Sequence, residues 1–235
     1  ILDTFFIANR ILEKGQFEDN YFTGLSQYLA KIEKTYTYVP RLSDSRNPFK
    51  LFRVFKILKK YNIPALTHYQ VLGSSDYLEA IRFLFLYPFS VLRFIKTLGN
   101  SYEDQILRYG LWAVLGSVVL DSHIRFLLGK RLSAMRFNRI KCIGWYENQA
   151  SDKTFYRGLR HVPGKTEIIG AQLFLNPNNA VINATLDEQE IPFNVVPDKL
   201  LVTGPACCFE SDNIKVEVGP NFIYKNIYEV GSQVS

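Results

Sequence analysis

Apolar positions along the chain recur with two periods, two residues and about 3.6, and the switches between them mark strands and helices. Leu2 to Ile7 reads as a first strand and Asn20 to Glu33 as a helix, with Tyr21, Leu25, Tyr28, Leu29 and Ile32 on one face. Thr35 to Val39 alternates and is β-branched or aromatic, which predicts a second strand. The polar run Pro40 to Pro48 follows as a loop. Phe49 to Tyr61 is a basic amphipathic helix, with Phe52, Phe55 and Leu58 on its expected buried side and Lys50, Arg53, Lys56, Lys59 and Lys60 supplying the charge.

Asp76 to Leu98 is the most apolar stretch. Its uncharged centre, Phe83 to Leu92, is about ten residues, half of what spans a bilayer. Pro88 should kink it, and Arg82, Arg93 and Lys96 flank the centre. The stretch is either a pair of core helices or a helix lying in a membrane interface. The core reading is preferred, because α/β domains of this size need buried helices. Two more helices are expected over Tyr102 to Leu120 and Ser122 to Phe137.

The second half alternates regularly. Lys141 to Tyr146 reads as a buried strand that stops at the polar elbow Glu147-Asn148-Gln149. A helix over Ser151 to Arg160 follows, which Ser151 or Asp152 can cap. Phe155, Leu159 and Val162 fall on its packing face, and Lys153, Arg157 and Arg160 form a basic edge. Strands over Glu167–Ala171, Lys199–Thr203 and Ile214–Val218 are separated by a long polar loop (176–192) and a short helix from Pro205 to Glu210. This order predicts a parallel sheet built from right-handed crossovers. The fold expected is α/β, a Rossmann-like mostly parallel sheet with additional helices in the first half, in one domain spanning residues 1–235.

Composition narrows the partners. Apolar content of 47% supports a sizeable core. A net charge of +6 favours anionic partners such as nucleotide sugars, lipid phosphates or an anionic membrane surface. Nucleic acid is set aside, since no compact recognition motif accompanies the charge. Three cysteines make neither a disulfide framework nor a zinc site, which points to a reducing compartment. There is no GxGxxG, P-loop, HExxH or GxSxG pattern. The chain opens at Ile1 directly in strand-like sequence and closes without a terminating helix, so it is expected to be part of a longer protein.

Glu147 is the sharpest chemical candidate. Ligands of open α/β sheets bind at the carboxyl ends of strands, and a carboxylate there can act as general base on a hydroxyl or bind a sugar hydroxyl. The competing reading is an ion pair with Lys153, Arg157 or another cation that only orders the elbow. Asn148 and Gln149 offer amides suited to sugars, and Gln172 occupies an equivalent strand-end position. Arg157 joins them as a cationic acceptor contact. The pattern names no metal ligands and no cofactor-binding residues. His123 reads as a half-buried structural residue, and Cys142 as a small core residue.

The run Trp145-Tyr146-Glu147-Asn148-Gln149, with Asp152-Lys153 and Gly158-Leu159-Arg160 after it, resembles the strand–ENQ–helix segment of bacterial surface-carbohydrate biosynthesis glycosyltransferases of the GT-B type. Ile168 to Gln172, Pro197-Asp198-Lys199 with LLVTG, and Val218-Gly219-Pro220 with NFIY continue the resemblance in order and spacing from about Lys141 to Tyr224. The chain departs from the pattern at Leu173, where a histidine is expected, and at Ala150 and Ser151, where a bulky aromatic or acidic residue is expected. The resemblance implies the N-terminal, acceptor-binding half of a transferase. That half would help move a sugar from a nucleotide sugar to a cell-surface glycan or lipid-linked acceptor. The nucleotide-sugar domain would follow residue 235, leaving no cofactor in this half. Residence in the cytoplasm, peripheral on the inner face of the plasma membrane, is the matching expectation. The alternative is a non-catalytic, membrane-associated module that binds glycan or anionic lipid.

Overall fold

The computed structural model describes residues 1–45, 47–113, 117–172 and 186–220. Six strands form one all-parallel sheet in the order β2-β1-β3-β4-β5-β6. They are β1 (Leu2–Ile7), β2 (Tyr38–Ser43), β3 (Ile140–Trp145), β4 (Thr166–Gln172), β5 (Lys199–Val202) and β6 (Lys215–Val218). The domain is therefore α/β and Rossmann-like, as the alternation of the second half predicts.

The helices are α1 (Ala8–Lys14), α2 (Leu25–Lys31), α3 (Pro48–Lys60), α4 (His68–Val71), α5 (Ser74–Ile95), α6 (Tyr102–Ala113), α7 (Ser117–Ala134) and α8 (Ala150–Leu159). Two apolar clusters sit on the two faces of the sheet. Leu2, Phe6, Tyr38 and Trp145 pack with Ala8 and Ile11 of α1 and Val54 and Leu58 of α3. Val39, Cys142, Tyr146, Ile168 and Leu200 pack with Leu127, Leu128 and Leu132 of α7 and Phe155, Tyr156 and Leu159 of α8. The two-residue alternation of β3 divides its side chains between these clusters.

Helices α7 and α8 cross at two glycines. A Cβ on Gly129 would lie 2.6 Å from the Phe155 carbonyl oxygen, and one on Gly158 would lie 2.2 Å from that of Phe126. Only hydrogen at both positions lets the backbones approach this closely.

Four expectations from the sequence are corrected. Helix α2 starts at Leu25 because Gly24 takes φ 79°, while the Asp19 carboxylate accepts the N–H groups of Tyr21 and Phe22 in the turn before it. Strand β2 runs from Tyr38 through Ser43, so Pro40 and Arg41 lie in the sheet and not in a loop. β2 is an edge strand, where a missing proline N–H is tolerated. Helix α3 buries Leu51, Val54 and Leu58, while Phe52 is 71% exposed. Both apolar stripes have helical spacing, and the more compact aliphatic one takes the sheet.

The largest correction concerns α5. It is one helix, continuous through Pro88, and its buried residues are Asp76, Ala80 and Val91. Phe85 is 68% exposed and Phe89 70%. α7 occupies the sheet beneath, so α5 packs on α7 and not on the sheet. Ala80 joins the core beside α7 and α8, but Leu84, Phe85, Leu86 and Phe89 of the apolar centre are exposed, against the core reading of this stretch. Much of the polar loop expected over 176–192, at 176–185, and the NFIY motif lie outside the described residues.

Candidate functional site

β1 and β3 are neighbours whose onward connections lead to opposite sides of the sheet, because β2 lies beyond β1 and β4 beyond β3. Such a switch point opens a crevice at the carboxyl ends of the two strands. The elbow Glu147-Asn148-Gln149 stands there. Asn148 takes φ 55°, a left-handed conformation that asparagine tolerates better than most residues. Its Oδ1 accepts a hydrogen bond from the Tyr146 hydroxyl at 2.8 Å.

The Glu147 carboxylate accepts from two neutral donors, Trp145 Nε1 at 3.0 Å and Gln149 Nε2 at 2.6 Å. The two bonds orient it on the Trp145 side of the sheet. Its charge acts on Tyr21, whose phenol is raised above the ordinary value by burial and then by Glu147. Lys153, one of the cations offered as its ion-pair partner, instead holds Glu190 at 2.6 Å. Gln149 precedes α8 as its N-cap, and Asp152 closes the capping box from the third helical position. Asp152 Oδ2 accepts the backbone N–H groups of Glu147 and Gln149, both at 3.0 Å. The cap is thus Gln149 and not Ser151 or Asp152 as the sequence suggests, because the helix starts at Ala150; Asp152 serves from inside the first turn, where its carboxylate pins the elbow.

Gln172 ends β4, one residue beyond Ala171, the partner of Trp145 in the β3–β4 register. It therefore stands on the same rim as the elbow. Arg157 does not join them. It lines an apolar groove of about 470 Å³ between α5, α7 and α8, with Phe83, Tyr87, His123 and Phe126. His123 stacks on Phe83 with ring centroids 3.9 Å apart, the structural role read from its sequence. Cys142 is buried, and burial first of all pushes its thiol up to about 12, so it stays protonated and inert.

A charged network fills the α7–α8 side of the same rim. Asp3 of β1 accepts two bonds from Arg41 of β2, Nε to Oδ1 at 3.1 Å and Nη2 to Oδ2 at 2.7 Å. Arg41 also donates to the Trp145 carbonyl at 2.8 Å and pairs through Nη1 with Asp152 Oδ1. Arg125 of α7 brings Nη2 to 2.7 Å from Asp3 Oδ2. Gly144 makes room for this network, since a Cβ there would lie 2.7 Å from the Tyr156 hydroxyl and 3.5 Å from Asp3 Oδ2. Burial alone would raise the Asp3 carboxyl, but Arg125 and Arg41 together hold it below its ordinary value. Burial lowers Arg125, against the pull of Asp3.

Beside the network lies a hollow of about 400 Å³ at the ends of β1 and β2. Its wall includes Phe5, Arg41, Ser45, His68, Tyr69, Asp121, Arg125 and Ser151. Burial, and then the charge of Arg125, pulls His68 down to about 4. Among the described residues, no group of three or more His, Cys, Asp or Glu side chains is placed to hold a metal ion. No known protein family, curated protein or solved structure matches the chain.

Sequence reasoning missed Asp3, Arg41 and Arg125. Two signals could have found them. Asp3 interrupts an otherwise apolar strand, and Arg125 sits three and seven residues before Leu128 and Leu132, on the buried stripe of its helix. A charge at such a position has to find a partner.

Proposed function

We propose that this domain is the acceptor-binding half of a glycosyltransferase that builds a cell-surface glycan or lipid-linked saccharide. The nucleotide-sugar donor would be held by a second Rossmann-like domain outside these residues. The observation that carries the reading is the Glu147 carboxylate. It stands at the switch point of a parallel sheet, oriented by two neutral hydrogen bonds. A carboxylate bonded in this way keeps lone pairs for a further donor. Asn148, Gln149 and Gln172 supply amides for the neighbouring sugar hydroxyls. In the step assigned to it, Glu147 takes the proton of the acceptor hydroxyl. The acceptor oxygen then bonds the anomeric carbon, and the nucleotide leaves with the electron pair of the bond that breaks.

The resemblance of the elbow and its flanking motifs to surface-carbohydrate transferases supports the same reading. In the protein that carries both halves, Glu147→Gln should lower turnover about tenfold or more while circular dichroism stays unchanged. Wild-type turnover in that variant would remove Glu147 from the mechanism. Acceptor binding can be tested on this domain by saturation-transfer NMR with oligosaccharides, where Gln172→Ala should weaken the signal.

A second reading, a non-catalytic module on a membrane, is favoured by a different observation. α5 and α6 expose Phe85, Phe89, Tyr102, Tyr109 and Trp112 together. No helix among the described residues is long and apolar enough to cross a membrane. Between Ala80 and Asn100 every charged side chain is cationic: Arg82, Arg93 and Lys96. An apolar surface edged by cations fits an anionic lipid interface. The two readings combine if the enzyme sits peripherally on the inner face of the plasma membrane, within reach of a lipid-linked acceptor.

A further inference from the structure

We propose that the hollow between the carboxyl ends of β1 and β2 and the first turn of α8 binds the phosphate group of a small organic phosphate. This site is separate from the Glu147 elbow. It lies with Asp3 and Arg41 on the α7–α8 side of the sheet, whereas Glu147 is bonded to Trp145, which packs with α1 and α3 on the other.

Arg125 is the reason. Its side chain is nine-tenths buried and forms part of the wall of the hollow. Asp3 lies within ion-pair distance of it, yet both oxygens of Asp3 already accept from Arg41. Nε and Nη1 of Arg125 have no hydrogen-bond partner in the protein. The Phe155 ring lies 3.8 Å beneath Cζ and holds the plane of the guanidinium. A buried guanidinium with unmet donors is a strong site for an oxyanion, because each donor gains a charge-assisted bond.

The other walls agree. Ser151 lies in the first turn of α8, where the N–H groups of Ala150 and Ser151 precede the first intrahelical bonds, made by Asp152 and Lys153, and the helix dipole favours an anion. His68 and Tyr69 of α4 add donors from a further side, and His68 is neutral at pH 7. Donors from several directions suit a tetrahedral phosphate better than a planar carboxylate, which one arginine can satisfy. The hollow, about 400 Å³, is larger than a phosphate ion and leaves space for an organic part. A phosphate at the deep end of a hydroxyl-bearing molecule therefore fits best, either a soluble sugar phosphate or the head of a phospholipid.

The test is calorimetric titration of the domain with inorganic phosphate and with glucose 1-phosphate, against sodium chloride at equal ionic strength. Saturable binding is expected, tighter for the sugar phosphate. Ser151→Glu places a carboxylate among the donors and also complements the helix N-terminus, so it should fold. It should weaken binding about tenfold or more, as should Arg125→Gln. Glu147→Gln should leave phosphate affinity unchanged, which separates this site from the proposed transferase chemistry. Short-chain phosphatidic acid, used below its micelle concentration, distinguishes the two sources by whether it or the sugar phosphate displaces inorganic phosphate at lower concentration. No saturable binding by the wild type would overturn the proposal. So would unchanged affinity in a folded Ser151→Glu domain. Arg125→Gln removes a partner of Asp3, so if it fails to fold, Ser151→Glu decides.

Discussion

At the scale of single residues, one carboxylate joins the two sides of the rim. Oδ2 of Asp152 holds the backbone of the elbow, while Oδ1 faces Arg41. Breaking a buried pair of this kind costs about 3–5 kcal/mol, so Asp152→Ala should lower unfolding free energy by roughly that amount. Two groups at the rim contribute to the response to acid. His68 has an ordinary value of 6.5 and sits near 4 in the folded chain, so the unfolded chain binds its proton first. Its contribution is complete above 6.5 and is lost as pH falls toward 4. Asp3 is depressed from 3.8, so its contribution is lost only below that value. Denaturant titration should show stability falling over the first window in the wild type. In His68→Gln that slope should flatten while the more acidic limb remains. An unchanged slope in the variant would assign the acid response to other groups.

At the scale of elements, the crossing of α7 and α8 is the joint on which the network depends, because Arg125 and Asp152 come from the two helices. Gly158→Ala would push a methyl against the Phe126 carbonyl, which is backbone and cannot swing aside. A loss of about 1–3 kcal/mol is expected, as for other overpacked sites. Gly110→Ala in α6 is the control. A Cβ there meets nothing within 4 Å, and alanine favours helix by up to about 1 kcal/mol. Thermal melts of the two variants should move in opposite directions, and a Gly158→Ala melt at or above wild type would remove the close crossing as a constraint. Some of these features could be read from the sequence and some could not. β1 was legible to the residue, because its apolar and aromatic run Phe5-Phe6-Ile7 ends where Ala8-Asn9-Arg10 turns polar. The buried face of α3 was not, because two stripes with the same period compete and only the neighbouring sheet chooses between them.

At the scale of the whole molecule, the surface is divided between a polar rim and an apolar helical pair. The chain has two tryptophans: Trp145 is 2% exposed, while Trp112 on α6 is 53% exposed. Trp112 therefore reports on that pair. Vesicles containing anionic lipid should shift its emission to the blue, and the binding should weaken as salt rises, since surface attraction decays over about 10 Å at 0.1 M. Phe89→Asp should reduce cosedimentation about fivefold or more. No cosedimentation even at low salt would retire the membrane surface as a partner. The sequence alone determined the α/β class, the order of the strands along the chain, and the elbow with its capped helix. All of these follow from local periodicity and turn chemistry, which act over a few residues. Tertiary structure alone decided that Asp3, Arg41, Arg125 and Asp152 meet, that α5 turns most of its apolar centre outward, and that Arg157 faces a groove away from the elbow. Each of those depends on which faces the crossovers bring together across a sheet, and burial and pairing over such separations leave no periodic trace in the chain.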